Sequence, residues 1–155
     1  MDAASATCYR WDVWRRPLAP RSPASAEPNT HVIPRTMIQM NKHRVFLIDD
    51  HPVLLLGLRS LLAAEEDLHV EGTATTPREA LRILEATAVD LAVLDIGIAG
   101  VAGLDLIQDL RIRVPKLRML CFSGHEEVFY AERALRAGAF GYLMKTAEPA
   151  AILRA

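Results

Sequence analysis

The chain has 155 residues, of which 51% are hydrophobic and 24% charged, so it can form one globular domain with a sizeable core. No stretch reaches the roughly 18 unbroken apolar residues that a membrane span needs, and its two cysteines are too few for a disulfide framework. The formal net charge is -1, but basic residues are concentrated near the N-terminus. The acidic remainder argues against binding to a nucleic-acid backbone by that part of the chain. We expect a cytoplasmic domain.

The N-terminal segment, residues 1–42, is rich in proline and alanine and has neither strand nor helix periodicity. It buries too little apolar surface to offset its ordering entropy, so we predict that it is disordered. Met37 and Met40 stand just before the first predicted strand. This position favours the hypothesis that the upstream residues are a leader or precede the true start, with a basic binding arm as the alternative.

From residue 43 onward, short apolar runs alternate with helical patterns, which predicts an α/β domain of five βα units. Such alternation indicates right-handed crossovers and a parallel sheet covered on both faces. Gly138 follows the fourth helical pattern, where a left-handed cap is expected. The predicted elements are strand 44–48, helix 52–64, strand 68–74, helix 77–87, strand 90–95, helix 103–112, strand 117–122, helix 126–137, strand 140–144 and helix 147–155.

Polar residues stand at the ends of four predicted strands: Asp49 and Asp50 after the first, Asp95 at the third, Ser123 at the fourth and Lys145 at the fifth. Ligands of open α/β sheets bind beyond the carboxyl ends of the strands, so these side chains should converge. Three carboxylates repel one another unless a cation lies between them, and hard oxygen ligands suit Mg²⁺. Each aspartate taken alone could instead cap a helix.

A lysine and a hydroxyl directed at the same point supply a positive charge and a hydrogen-bond donor to a phosphoryl group. Together with a metal and a carboxylate, they favour transfer of phosphate onto an aspartate.

Four segments, in this order, closely resemble the receiver domain of bacterial two-component response regulators: FLIDDHPVLLLGLRSLL, VLDIGIAGVAGLDLI, MLCFSGHEE and ALRAGAFGYLMK. The segments DDHP and AGAFGYLMK are similar to the corresponding segments of LuxR/NarL-type transcription factors in particular. The resemblance covers residues 44–155. It implies a flavodoxin-like (βα)5 fold, with a doubly wound parallel five-stranded sheet of order 2-1-3-4-5.

For the metal, the resemblance implies that Asp50 is a direct Mg²⁺ ligand and that Asp49 is a second acidic partner acting largely through water. The phosphoacceptor Asp95 and the backbone carbonyl of Gly97 would complete the protein ligands. His51 is expected to be a helix-start residue and not a phosphodonor.

For the phosphoryl group, the resemblance implies that Asp95 accepts it, that Ser123 bonds one of its oxygens and that Lys145 pairs with it. Tyr142 matches the aromatic that changes rotamer as the switch. Gly97 and His125 match positions that flank the path of the hydrolytic water.

The resemblance implies a phosphorylation-controlled signalling switch that accepts phosphate from a sensor histidine kinase and slowly hydrolyses the product. A homodimer is expected to form on activation. The last helix is expected to be truncated, and DNA binding is expected only through a helix-turn-helix domain that would follow it. One alternative is a phosphorylation-independent interaction module with the same fold. Another is a flavodoxin-like enzyme or flavin carrier, which the acidic end of the first strand disfavours.

Two local features are unusual: one residue of the loop after Asp95 and the leucines on the surface of the first helix. Ala99 stands where the family usually has proline, which predicts a looser loop after Asp95. In the first helix, Leu56 is expected to point away from the core with Leu55 at its edge, as part of a dimer or docking surface. The predicted buried stripe of that helix is Leu54, Leu58, Leu61 and Leu62.

Overall fold

The computed structural model describes residues 42–99, 102–124 and 128–155. It has five strands and five helices in strict alternation. They are β1 His43–Ile48, α1 Pro52–Ala63, β2 Leu68–Ala74, α2 Pro77–Ala86, β3 Leu91–Leu94, α3 Ala102–Arg113, β4 Arg118–Ser123, α4 Val128–Ala137, β5 Gly141–Met144 and α5 Pro149–Arg154. The predicted disorder of residues 1–42 and the predicted start of the fourth helix at 126 fall on residues outside these ranges, apart from residue 42.

The five strands form one parallel sheet in the order β2-β1-β3-β4-β5. This confirms the doubly wound α/β fold with the predicted order. Alternate residues of β1 face opposite sides of the sheet, so Phe46 and Ile48 join one core cluster while Val45 and Leu47 join the other. The first cluster is covered by α2, α3 and α4, and the second by α1 and α5.

Local sequence signals set the helix ends. The Thr76 hydroxyl accepts a hydrogen bond from the Glu79 backbone N–H and caps α2. Gly138 has a φ of 124° directly after α4, as its predicted role requires. A Cβ at Gly103 would lie 2.4 Å from the Ile96 carbonyl oxygen, so only glycine lets α3 approach the loop after β3 this closely.

The predicted face of α1 was partly wrong. Leu55 is buried at 7% exposure together with Leu58 and Leu62, whereas Leu54 and Leu61 are only half-buried. The spacing i, i+3, i+7 places the buried three on one line that faces β1 and β3, with the other two on its flank. The predicted exposure of Leu56 is confirmed, because 70% of it is accessible.

No helix within the described ranges is both long and apolar enough to span a membrane.

Candidate functional site

The carboxyl ends of β1, β3 and β5 bring four of the predicted residues together. Asp49 and Asp50 follow β1, Asp95 follows β3 and Lys145 follows β5. Asp49 and Asp95 are 2% and 4% exposed, whereas Asp50 faces solvent. Burying a carboxylate is costly unless it is paired, so the two buried acids need partners that offset their desolvation.

Lys145 supplies that pairing. Its Nζ lies 2.7 Å from Asp49 Oδ2 and 2.9 Å from Asp95 Oδ2. Burial lowers the pKa of the Lys145 ammonium, but its hydrogen bonds to the two carboxylates outweigh burial, so the pKa is raised above its usual range. The ammonium is therefore charged and holds both buried acids from one side.

His51 contacts Asp49 through the oxygen that Lys145 does not use, and it also contacts Asp50. Its backbone N–H donates to Asp49 Oδ1 at 2.8 Å. Its ring Nδ1 lies 2.8 Å from Asp49 Oδ1 and 2.9 Å from Asp50 Oδ1. His51 is the residue before α1, as expected, but its ring contacts were not predicted. The only sequence signal for them was the adjacency of the three residues.

The donor set suits a divalent cation. Asp49, Asp50, His51 and Asp95 each offer one ligand atom, and these atoms lie within 4.8 Å of one another. Three carboxylates face one ammonium, so two negative charges are left over when His51 is neutral. Hard carboxylate oxygens with this surplus are typical of Mg²⁺ binding.

The loop after β3 is tied to the acids through its backbone. Gly97 N–H donates to Asp95 Oδ1 at 3.0 Å, and Ala99 N–H donates to Asp50 Oδ2 at 3.4 Å. Ala99 has a φ of 49°, a left-handed conformation that proline cannot adopt. Alanine in place of the family's proline therefore fits this loop conformation, and the looser loop stays a prediction. The predicted use of the Gly97 carbonyl as a metal ligand remains a prediction.

Ser123, at the end of β4, and Tyr142, in β5, are buried at 0% and 5% exposure. Burial raises the pKa of the Tyr142 phenol, and a hydrogen bond with the Ser123 side chain opposes this rise. Lys145 N–H donates to the Ser123 carbonyl at 2.7 Å, so the ends of β4 and β5 are held together. His125 lies outside the described residues.

Residues 45–155 match the family profile described as the response regulator receiver domain. The chain belongs to this receiver family. It is 38% identical over 111 residues to the transcriptional activator protein ExaE of Pseudomonas putida, covering 72% of this chain and 52% of that protein. It is 36% identical over 113 residues to the nitrate/nitrite response regulator protein NarL of Escherichia coli K12, covering 72% and 51%.

Among solved structures, the receiver is similar to a LuxR-family two-component response regulator from Aurantimonas sp. SI85-9A1, with TM-score 0.70 and 32% identity over 74% of this chain and 81% of that one. It is also similar to a Burkholderia pseudomallei response regulator with a phosphorylated aspartic acid, calcium ion and citrate, with TM-score 0.66 and 28% identity over 72% and 65%. These matches confirm a receiver domain of the NarL/LuxR type. The chain spans about half the length of the curated relatives it matches.

Proposed function

We propose that residues 43–155 form a receiver that accepts a phosphoryl group on Asp95 from a sensor histidine kinase. The phosphorylated form would control an output, which in a longer protein would be DNA-binding transcription control through a helix-turn-helix domain. One observation carries the proposal: Lys145 pairs with both buried aspartates, yet the cluster keeps surplus negative charge beside them. A cytoplasmic location, expected from the two cysteines, belongs to the same proposal.

Asp49, Asp50 and Asp95 would hold Mg²⁺, with the Gly97 carbonyl as a further ligand. When bound, Mg²⁺ would neutralise charge on the carboxylates and on the transferred phosphoryl oxygens. The exposure of Asp50 supports its role as a direct ligand, because its Oδ2 has only one long backbone hydrogen bond to give up. Asp49 is committed to Lys145 and His51, which fits a partner that acts through water.

In the acceptance step, a carboxylate oxygen of Asp95 attacks the phosphorus atom of the donor. The bond between phosphorus and the donor breaks, the donor keeps that electron pair, and an acyl phosphate forms on Asp95. Gly97 leaves room above the carboxylate, since even a Cβ there would lie 3.4 Å from Asp95 Oδ2. Lys145 is already beside this oxygen and would pair with the new phosphate.

The switch would pass through Ser123 and Tyr142. Because the Tyr142 ring is already buried, the expected change is an exchange of hydrogen bonds. The Ser123 hydroxyl would leave Tyr142 for a phosphoryl oxygen and bias an existing equilibrium on the α4–β5 face. Backbone NMR with beryllofluoride should show shifts at β5 as well as in the metal loops. Shifts confined to the metal loops would contradict this route.

The kinase would dock on α1. An apolar groove between α1 and α5, lined in part by Leu54, Leu61 and Ile152, leads to Asp95 and Lys145. A donor must reach Asp95, so a partner seated along this groove is placed to deliver phosphate. Val53 and Leu56 add exposed apolar surface on α1, 84% and 70% accessible.

Leu56→Asp tests the docking site. The variant should slow phosphoryl transfer from an autophosphorylated sensor kinase but leave transfer from acetyl phosphate unchanged. Equal rates from the kinase to the variant and the wild type would remove the docking proposal. A change in sedimentation instead would assign the surface to a homodimer.

Intact mass after incubation with acetyl phosphate and Mg²⁺ tests the function. Wild type should gain one phosphate mass, whereas Asp95→Asn keeps the shape, lacks the nucleophile and should gain none. Asp90→Asn, a substitution at the opposite end of β3, should be labelled like wild type. Lys145→Ala should lose switching more than acceptance. An unlabelled wild type that binds Mg²⁺ would favour the phosphorylation-independent interaction module.

A further inference from the structure

We propose that His51 is a metal ligand that lets this site bind nitrogen-accepting divalent transition ions in competition with Mg²⁺. The inference rests on the metal site of the proposed function and adds a ligand to it. It concerns ions such as Co²⁺ and Zn²⁺, for which imidazole is a favourable ligand.

The distances from His51 Nδ1 match a shared coordination sphere. Neighbouring ligands of an octahedral ion at about 2.1 Å lie about 3.0 Å apart. His51 Nδ1 lies 2.8 Å from Asp49 Oδ1 and 2.9 Å from Asp50 Oδ1. Asp95 offers a fourth atom within 4.8 Å of the others. Small side-chain movements would therefore place one nitrogen and up to three oxygens around a single ion.

The His51 ring is free to make that movement. Its side chain is 68% exposed, so a rotation toward an ion disturbs no core packing. In the structure, Nδ1 is hydrogen-bonded to Asp49 Oδ1, with the carboxylate as acceptor. A metal–nitrogen bond would replace this contact and leave Nε2 in a position to face solvent.

The chemistry of the donor set predicts selectivity. Mg²⁺ prefers oxygen ligands and keeps several of its waters, so it gains little from an imidazole. Co²⁺ and Zn²⁺ stand higher in the affinity series and accept imidazole nitrogen. Both kinds of ion would use Asp50, so only one can occupy the site at a time. The transition ion would raise the apparent dissociation constant for Mg²⁺.

The test compares Co²⁺ and Mg²⁺ binding to the full chain by calorimetry at one fixed pH, because metal affinity depends on pH. His51→Asn keeps a favourable helix-start residue and replaces the nitrogen with an amide. It should weaken Co²⁺ binding by about tenfold or more and change Mg²⁺ binding by less than about twofold. His69→Ala is the control, because His69 is exposed and lies 4.0 Å from Glu71.

Proton NMR of the Co²⁺-loaded protein gives an independent signature. Wild type and His69→Ala should show a hyperfine-shifted exchangeable imidazole N–H resonance, which His51→Asn should lack. Asp50→Asn should weaken the binding of both Co²⁺ and Mg²⁺. Unchanged Co²⁺ affinity in His51→Asn, or a shifted resonance that survives in it, would overturn the inference while leaving the Mg²⁺ site intact. Failure of wild type to bind Mg²⁺ would instead overturn the proposed function.

Discussion

The two ends of the parallel strands carry charge in different arrangements. At the amino end, Asp90 accepts the Arg44 backbone N–H at 2.8 Å and lies 3.5 Å from its guanidinium, so one acid meets one base in partial solvent exposure. At the carboxyl end, one lysine pairs with two buried aspartates, and a third, exposed aspartate lies in the same cluster. The contrast teaches that unbalanced buried charge, and not charge alone, distinguishes a binding edge from a structural one.

The largest expected effect is on stability. Lys145→Met keeps the aliphatic stem but leaves two buried carboxylates without their cation, so it should lower the free energy of unfolding by about 3 kcal/mol. Arg44→Met, at the exposed pair, should cost less than about 1 kcal/mol. Urea unfolding at pH 7 with a chelator measures both. Equal losses would mean that the two ends do not differ energetically.

The next effect is on metal affinity. Asp50→Asn removes a negatively charged ligand from the carboxyl end of the strands, where negative charge is in excess. It should weaken Mg²⁺ binding by about tenfold or more. Asp90→Asn removes the same charge from the balanced pair and should leave the Mg²⁺ affinity unchanged. Calorimetric titration of both variants decides the matter. Equal Mg²⁺ affinities in wild type and Asp50→Asn would refute the assignment of Asp50.

A smaller effect concerns backbone strain in the loop at the carboxyl end. Ala99→Gly should raise the free energy of unfolding by up to about 1 kcal/mol, because glycine adopts the left-handed φ of 49° without steric cost. Ala63→Gly, at the exposed end of α1, should lower it by a similar amount, about 1 kcal/mol. Denaturant unfolding measures both changes. If both substitutions destabilised the protein, the result would contradict backbone strain at Ala99.

The smallest expected effects are on the pH dependence of stability, with opposite signs at the two ends. The Arg44 backbone N–H lowers the pKa of Asp90, so this stabilisation is present above the ordinary value of 3.8 and is lost as pH falls through the lowered pKa. The pKa of Lys145 is raised, so its contribution is present below 10.5 and is lost as pH rises through the raised pKa.

Urea midpoints measured against pH separate the two ends. Asp90→Asn should remove part of the acid-side loss, and Lys145→Met part of the alkaline-side loss. If Asp90→Asn left the acid-side loss unchanged and Lys145→Met left the alkaline-side loss unchanged, other groups would dominate the pH dependence of stability.

Most of the fold was predictable because apolar periodicity and turn residues determine it locally. Strand order followed from the resemblance, and predicted boundaries differed from the observed ones by at most two residues. The last helix begins at Pro149, two residues later than predicted, because proline suits a first helical turn and Glu148 precedes it. Leu55 was misplaced because α1 has leucine at six of its twelve positions, so periodicity alone left the rotation of the helix about its axis undetermined.

The convergence of the site followed from strand direction alone, since parallel strands end at one edge. The contacts of the His51 ring and the left-handed φ of Ala99 could not be predicted. The first depends on a side-chain rotamer set by the charges around it, and the second on how the loop crosses to Asp50. Both are tertiary properties with no period in the sequence.

The most direct test of the central claim is to locate the phosphate. After acetyl phosphate and Mg²⁺ treatment, borohydride reduces an aspartyl phosphate to homoserine, which tandem mass spectrometry assigns to one position. We predict homoserine at residue 95 and unmodified aspartate at 49 and 50. Homoserine at either of those two positions, or at none in a protein that has gained phosphate mass, would contradict the account.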